Sequence, residues 1–139
     1  MLKLPSLGEL DQGMGVRIYL CVQPADMRRG FDTLAAAVKE FLRHDPFSGN
    51  LFLFVSRGKD RMKILYWEKD GFCLWYKRLE EGTFKLPATR DGDGKVAASV
   101  ELKATELAML LEGIDLKSIK RGKRFSRPAA SAEAALAGA

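Results

Sequence analysis

Arg57-Gly-Lys-Asp-Arg-Met-Lys63-Ile-Leu-Tyr-Trp67 is followed, three residues on, by Gly71-Phe-Cys-Leu-Trp-Tyr-Lys-Arg78. The pair reads as a β-hairpin, with strands over 62–67 and 72–78 and the tight-turn dipeptide Asp70-Gly71 between them. Arg57, Lys59, Arg61 and Lys63 occupy every second position. Alternate side chains of an extended backbone point the same way, so this spacing predicts one positive ridge. Tyr66, Trp67, Trp75 and Tyr76 lie in the same stretch. Strand alternation splits each adjacent pair between two faces, one ring for the core and one free to stack. Cations beside flat π surfaces suit a polymer of phosphates and bases. The hairpin is therefore a candidate nucleic-acid surface, with Lys77 and Arg78 extending it.

The pattern on either side supplies the rest of a fold. Leu51-Phe-Leu-Phe-Val55 is apolar throughout, as in a central strand covered on both faces. Asp45-Pro-Phe-Ser-Gly-Asn50 before it has turn chemistry. Phe31, Leu34, Ala35, Val38 and Leu42 recur at helical spacing, with Asp26 as a candidate cap and an end expected near His44. Residues 16–22 read as a strand stopped by Gln23-Pro24. Downstream, 79–86 is a candidate short edge strand and 96–102 a candidate strand. Residues 104–112 form a second helix closed by Gly113. The expected fold is α+β: a mainly antiparallel sheet of about five strands, one face packed on the longer first helix. The short second helix covers an edge, and the opposite face stays open with the basic loop. The expected boundaries are a loose arm over 1–15, one domain over 16–116, and a disordered tail over 117–139, basic and then alanine-rich.

Charge is unevenly spread along the 139 residues, whose net charge is +5. Within 57–78, Arg57, Lys59, Arg61, Lys63, Lys69, Lys77 and Arg78 face only Asp60, Glu68 and Asp70. Residues 117–127 carry cations alone, among them Lys120, Arg121, Lys123 and Arg124. The segment between is acidic. Arg28 and Arg29 sit near the expected helix start, where cations oppose the helix dipole. Two readings stay open for them: phosphate contact, or pairing with Asp26 or Asp32. Cys21 and Cys73, in apolar runs, read as buried thiols of a reducing cytoplasm rather than a disulfide framework. No apolar run approaches the ~20 residues that span a bilayer.

Catalytic chemistry finds little support. Asp26, Asp32, Asp60, Glu68 and Asp70 show no spacing that converges on paired metal ions. His44 is the single histidine, too few with two isolated cysteines for a zinc site. Asp91-Gly-Asp-Gly94 lacks the later ligands of a calcium loop. No phosphate-binding Gly-Lys-Ser/Thr loop is present. The expectation is a protein that is not an enzyme, with no metal and no cofactor.

Val16-Arg-Ile-Tyr-Leu20, Asp26-Met-Arg-Arg-Gly-Phe-Asp32, Asp45-Pro-Phe-Ser-Gly49, Gly71-Phe-Cys-Leu-Trp-Tyr-Lys-Arg-Leu79 and Leu107-Ala-Met-Leu-Leu-Glu-Gly-Ile-Asp115 occur in that order. Together they resemble the accessory protein of the bacterial insertion-sequence-66 family, the product of its second open reading frame, often labelled TnpB. The resemblance covers about 16–116. It implies a role in transposition beside a separate transposase, and it carries over no catalytic residues. Leu86 stands where many relatives have tryptophan, and Lys103 where many have a Ser or Thr helix cap. The resulting expectation is a cytoplasmic, non-catalytic transposition factor that binds DNA through the basic hairpin and tail. The alternative is an adaptor that docks the transposase or other element-encoded proteins without touching DNA.

Overall fold

The computed structural model describes residues 15–87, 97–115 and 120–121. Its elements in chain order are β1 (Ile18–Cys21), α1 (Phe31–Glu40), β2 (Leu51–Val55), β3 (Arg61–Glu68), β4 (Gly71–Arg78), β5 (Ser99–Leu102), α2 (Ala104–Glu112), β6 (Ile114–Asp115) and β7 (Lys120–Arg121). Five strands form one sheet in the order β4-β3-β2-β1-β5. β1 and β2 run parallel, joined by α1, and the other neighbours are antiparallel. β6 and β7 form a separate two-stranded ladder. The α+β fold expected from the pattern is thus present, as a mixed sheet. The two helices are nearly equal, ten residues and nine. Apart from Gly15, Lys120 and Arg121, the expected arm and tail lie outside the described residues.

Alternation along the apolar run of β2 sorts the core into two layers. Phe52 and Phe54 join Tyr19 and Leu65 under Leu34, Ala37 and Val38 of α1. Leu51, Leu53 and Val55 join Ile18, Leu20, Met62 and Ile64 under Leu107 and Leu110 of α2 and Phe84 of the 79–87 segment. Helices this short are marginal alone in water; burial of their apolar stripes, about 1.5–3 kcal/mol per enclosed side chain, holds them. This corrects three expectations. The face opposite α1 is not open, because α2 and Phe84 cover it. α2 lies on that face rather than along an edge. Residues 79–87 form no strand; their backbone turns back so that the N–H of Leu79 reaches Asp60 O and that of Phe84 reaches Lys59 O.

Local signals explain the helix boundaries. α1 starts after Gly30, not at Asp26, and no side chain caps it. It ends at Glu40, and His44 beyond it stacks on Tyr19 with ring centroids 4.0 Å apart. α2 follows Lys103, whose ammonium side chain cannot accept a hydrogen bond from the first turn. Glu106 compensates by accepting from the Lys103 N–H at 2.9 Å, the reciprocal half of a capping box. Gly113 closes α2 at φ 81°, as expected of a left-handed terminus.

Candidate nucleic-acid interface

The hairpin lies where the sequence puts it, but its basic segment is not one extended ridge. Residues 56–60 form the turn between β2 and β3. Ser56 N–H bonds Arg61 O, Lys59 N–H bonds Ser56 O, and Lys59 takes the left-handed φ of 60°. Alternation therefore starts only at Arg61, and the four-cation ridge is corrected to two cations, Arg61 and Lys63. Of these, Lys63 is not a surface residue at all. It is 7% exposed, and its Nζ donates to Met27 O and Arg29 O, both at 2.7 Å. The ammonium also sits 4.8 Å from the Tyr76 ring centroid. Pairing of Lys63 with Phe54 on one side and Tyr76 on the other places it under the 25–29 loop. A buried ammonium is tolerated only when its donors are satisfied, and here two carbonyls and a ring do so.

That lysine shapes the site. Loop 25–29 is anchored by the Ala25 N–H to Val55 O at 2.8 Å and by the two Lys63 bonds. It stands opposite the 56–60 turn across an open cleft of about 680 Å³. Arg28 and Arg29 enter from the loop, and Arg57 and Arg61 from the turn and the start of β3. Two acids share the cleft. Asp26 accepts from the Arg28 N–H at 2.9 Å, from its Nε at 3.0 Å and from its Nη2 at 2.7 Å. Bonding to the Arg28 side chain holds the Asp26 carboxyl well below the usual carboxylate range. Asp60 accepts from Ser56 Oγ at 3.1 Å. Arg29, Arg57 and Arg61 have no carboxylate within 4.0 Å among the described residues.

The structure thus brings together Arg28, Arg29, Arg57 and Arg61, which the sequence separates into two groups. Arg28 takes the pairing reading and stays internally neutralised. The remaining candidates diverge. Arg78 is opposite Arg61 but bonds Glu80 at 3.0 Å. Lys59 is exposed outside the cleft lining. Lys77 pairs with Met62 and so belongs to the α2 side of the sheet. Lys120 and Arg121 form β7, while Lys123 and Arg124 lie outside the described residues.

The aromatic residues divide as alternation requires. Tyr66 is buried and Trp75 packs against the α2-side core. Tyr76 is exposed on the α1 side. At the far end of the ribbon Trp67 meets Phe72 and Phe47 edge-on, centroids 5.0 Å from each. Burial pushes the Tyr66 hydroxyl up to about 12 and raises the Cys73 thiol, which donates to Glu68 at 3.5 Å. A thiol so placed is protonated at neutral pH and is no activated nucleophile. Among the described residues no group of three or more His, Cys, Asp and Glu is placed to hold a metal ion. No helix among them is long and apolar enough to cross a membrane.

Comparison with known proteins bears on the same segments. The family model for IS66 Orf2-like proteins matches residues 16–121, from the lead into β1 through β7. The chain belongs to the IS66 Orf2-like family. Membership places it among the accessory proteins of insertion sequences, as the five ordered motifs imply. Two relatives from Sinorhizobium fredii (strain NBRC 101917 / NGR234) are each 36% identical to this IS66 Orf2-like chain. The uncharacterized protein y4jC aligns over 82% of the chain and 92% of its own length. The uncharacterized protein y4hO aligns over 76% and 87%. No solved structure matches.

Proposed function

We propose that this IS66 Orf2-like protein is a non-catalytic, cytoplasmic transposition factor that binds DNA backbone through the cleft between the 25–29 loop and the 56–60 turn. One observation carries the reading. Arginines from two separate loops converge there, and Arg29, Arg57 and Arg61 form no ion pair within 4.0 Å among the described residues. Guanidinium groups without an internal acid offer planar donors to phosphate oxygens. Such contacts position a protein on DNA without selecting sequence. Duplex carrying the element's ends and scrambled duplex should therefore bind alike at low salt, in an anisotropy titration. Affinity should fall by about 0.9 log unit per log unit of salt for each phosphate contact, and Arg57→Ala/Arg61→Ala should reduce that slope by up to about two contacts. Unchanged affinity and slope in the double variant would remove the cleft from the reading.

A second reading, an adaptor for the transposase, draws on the opposite end of the ribbon. Phe47 is 57% exposed while packed against Trp67 and Phe72. Rigid aromatic groups of this kind anchor protein interfaces. Retention of the transposase by an Arg57→Glu/Arg61→Glu variant, combined with loss of DNA binding, would favour the adaptor as a separate activity.

A further inference from the structure

Elements that read duplex DNA protrude into a major groove about 12 Å wide. The cations here line a hollow instead. It is open to solvent, and its volume, about 680 Å³, falls within the ~300–1,000 Å³ of small-ligand clefts. Such a space admits a nucleotide or two of a separated strand, whereas a duplex would touch only its rims.

Tyr76 supplies an independent observation. It is an aromatic residue 49% exposed on β4. It lies opposite Lys63 in the ladder, and the next pair on the same face is Arg61 with Arg78. The exposed ring thus lies outside the cleft lining, one pair along the same sheet face from Arg61 and beside the lysine that anchors the 25–29 loop. Lys63 Nζ lies 4.8 Å from the ring centroid, and that ammonium is itself fixed by Met27 O and Arg29 O. The ring is consequently held in place before any ligand arrives. Proteins that hold single strands combine a positive groove for the backbone with aromatic rings for the bases.

Resting on the DNA-binding reading above, we infer that the cleft takes an unpaired DNA strand, its phosphates on Arg29, Arg57 and Arg61 and one base on Tyr76. Stacking asks only for a π face, so the contact is indifferent to sequence. The site would then engage frayed or nicked DNA in preference to intact duplex.

The test measures anisotropy of one labelled oligonucleotide, single-stranded and as a blunt duplex, with the full chain. Wild type is compared with Tyr76→Leu, which keeps an apolar cover over Lys63, and with Tyr76→Phe, which keeps the ring. Urea denaturation confirms that both variants fold. The single strand should bind more tightly than a duplex of equal phosphate count. Tyr76→Leu should weaken single-strand binding about 5- to 100-fold and leave duplex binding unchanged, and Tyr76→Phe should retain wild-type affinity for both. Duplex binding as tight as single-strand binding, or single-strand binding indifferent to Tyr76→Leu, overturns the inference and leaves the DNA-binding reading standing. Failure of both DNAs to bind at low salt overturns that reading itself.

Discussion

The two ends of the β3–β4 ribbon follow the same alternation and finish differently. At one end Arg61 faces Arg78, and the 25–29 loop opposite contributes two more arginines. At the other, Trp67 faces Phe72, and the 45–48 turn contributes Phe47, which closes on both rings at 5.0 and 5.2 Å. The arginine end stays an open cleft shared with two acids, whereas the aromatic rings gain by edge-on contact and fill theirs. Strand periodicity decides which side a residue takes. The neighbouring loop decides whether that side is open.

Trp67→Ala should have the largest effect on stability, because it removes a half-buried indole and two edge-on contacts. A loss of about 2–3 kcal/mol in urea denaturation is expected, with DNA affinity unaltered. An affinity loss at full stability would erase the distinction between the ends. Lys63→Met comes next. It strands the Met27 and Arg29 carbonyls, costs about 1–3 kcal/mol, and lowers DNA affinity by releasing the loop that carries Arg28 and Arg29. Loss of stability with undiminished DNA binding would show that the cleft needs no anchor.

Asp26→Asn should have the smallest effect. The Arg28 pair lowers the folded carboxyl below its unfolded value of about 3.9, so its contribution is present above that pH and disappears as pH falls through the folded value. Both side chains are exposed, so the contribution is small. The difference in stability between wild type and variant should stay level above about pH 5 and close in stronger acid. DNA affinity at neutral pH should rise slightly as Arg28 loses its internal acid. A stability difference that widened in acid would show that Asp26 is not held by Arg28.

The strands and helices were legible because their apolar spacing is regular, from β2 to the α1 stripe. What the sequence did not reveal was who covers what. The uninterrupted run of β2 already implied cover on both faces, but nothing local says that α2 and Phe84 arrive from far downstream to provide it. Lys63 lay in plain view between Met62 and Ile64, a cation flanked by apolar residues within the strand. Its meaning needed the 25–29 loop overhead, set by long-range bonds to Met27 and Arg29. The cleft was half legible: Arg57 and Arg61 stood out together, and Arg28 and Arg29 stood out separately. Only the parallel crossover from β1 through α1 to β2 brings the second pair back beside the first.

β1 occupies the sheet between β2 and β5, and Ile18 pairs with Leu102. β1, the earliest in the chain of the described strands, is therefore walled in only when β5, the latest strand of its sheet, has been made. Until then one of its flanks is a naked ladder, open to any extended chain nearby. Closing so long a loop is slow, and the assembly of the domain is timed by the arrival of its own C-terminal portion.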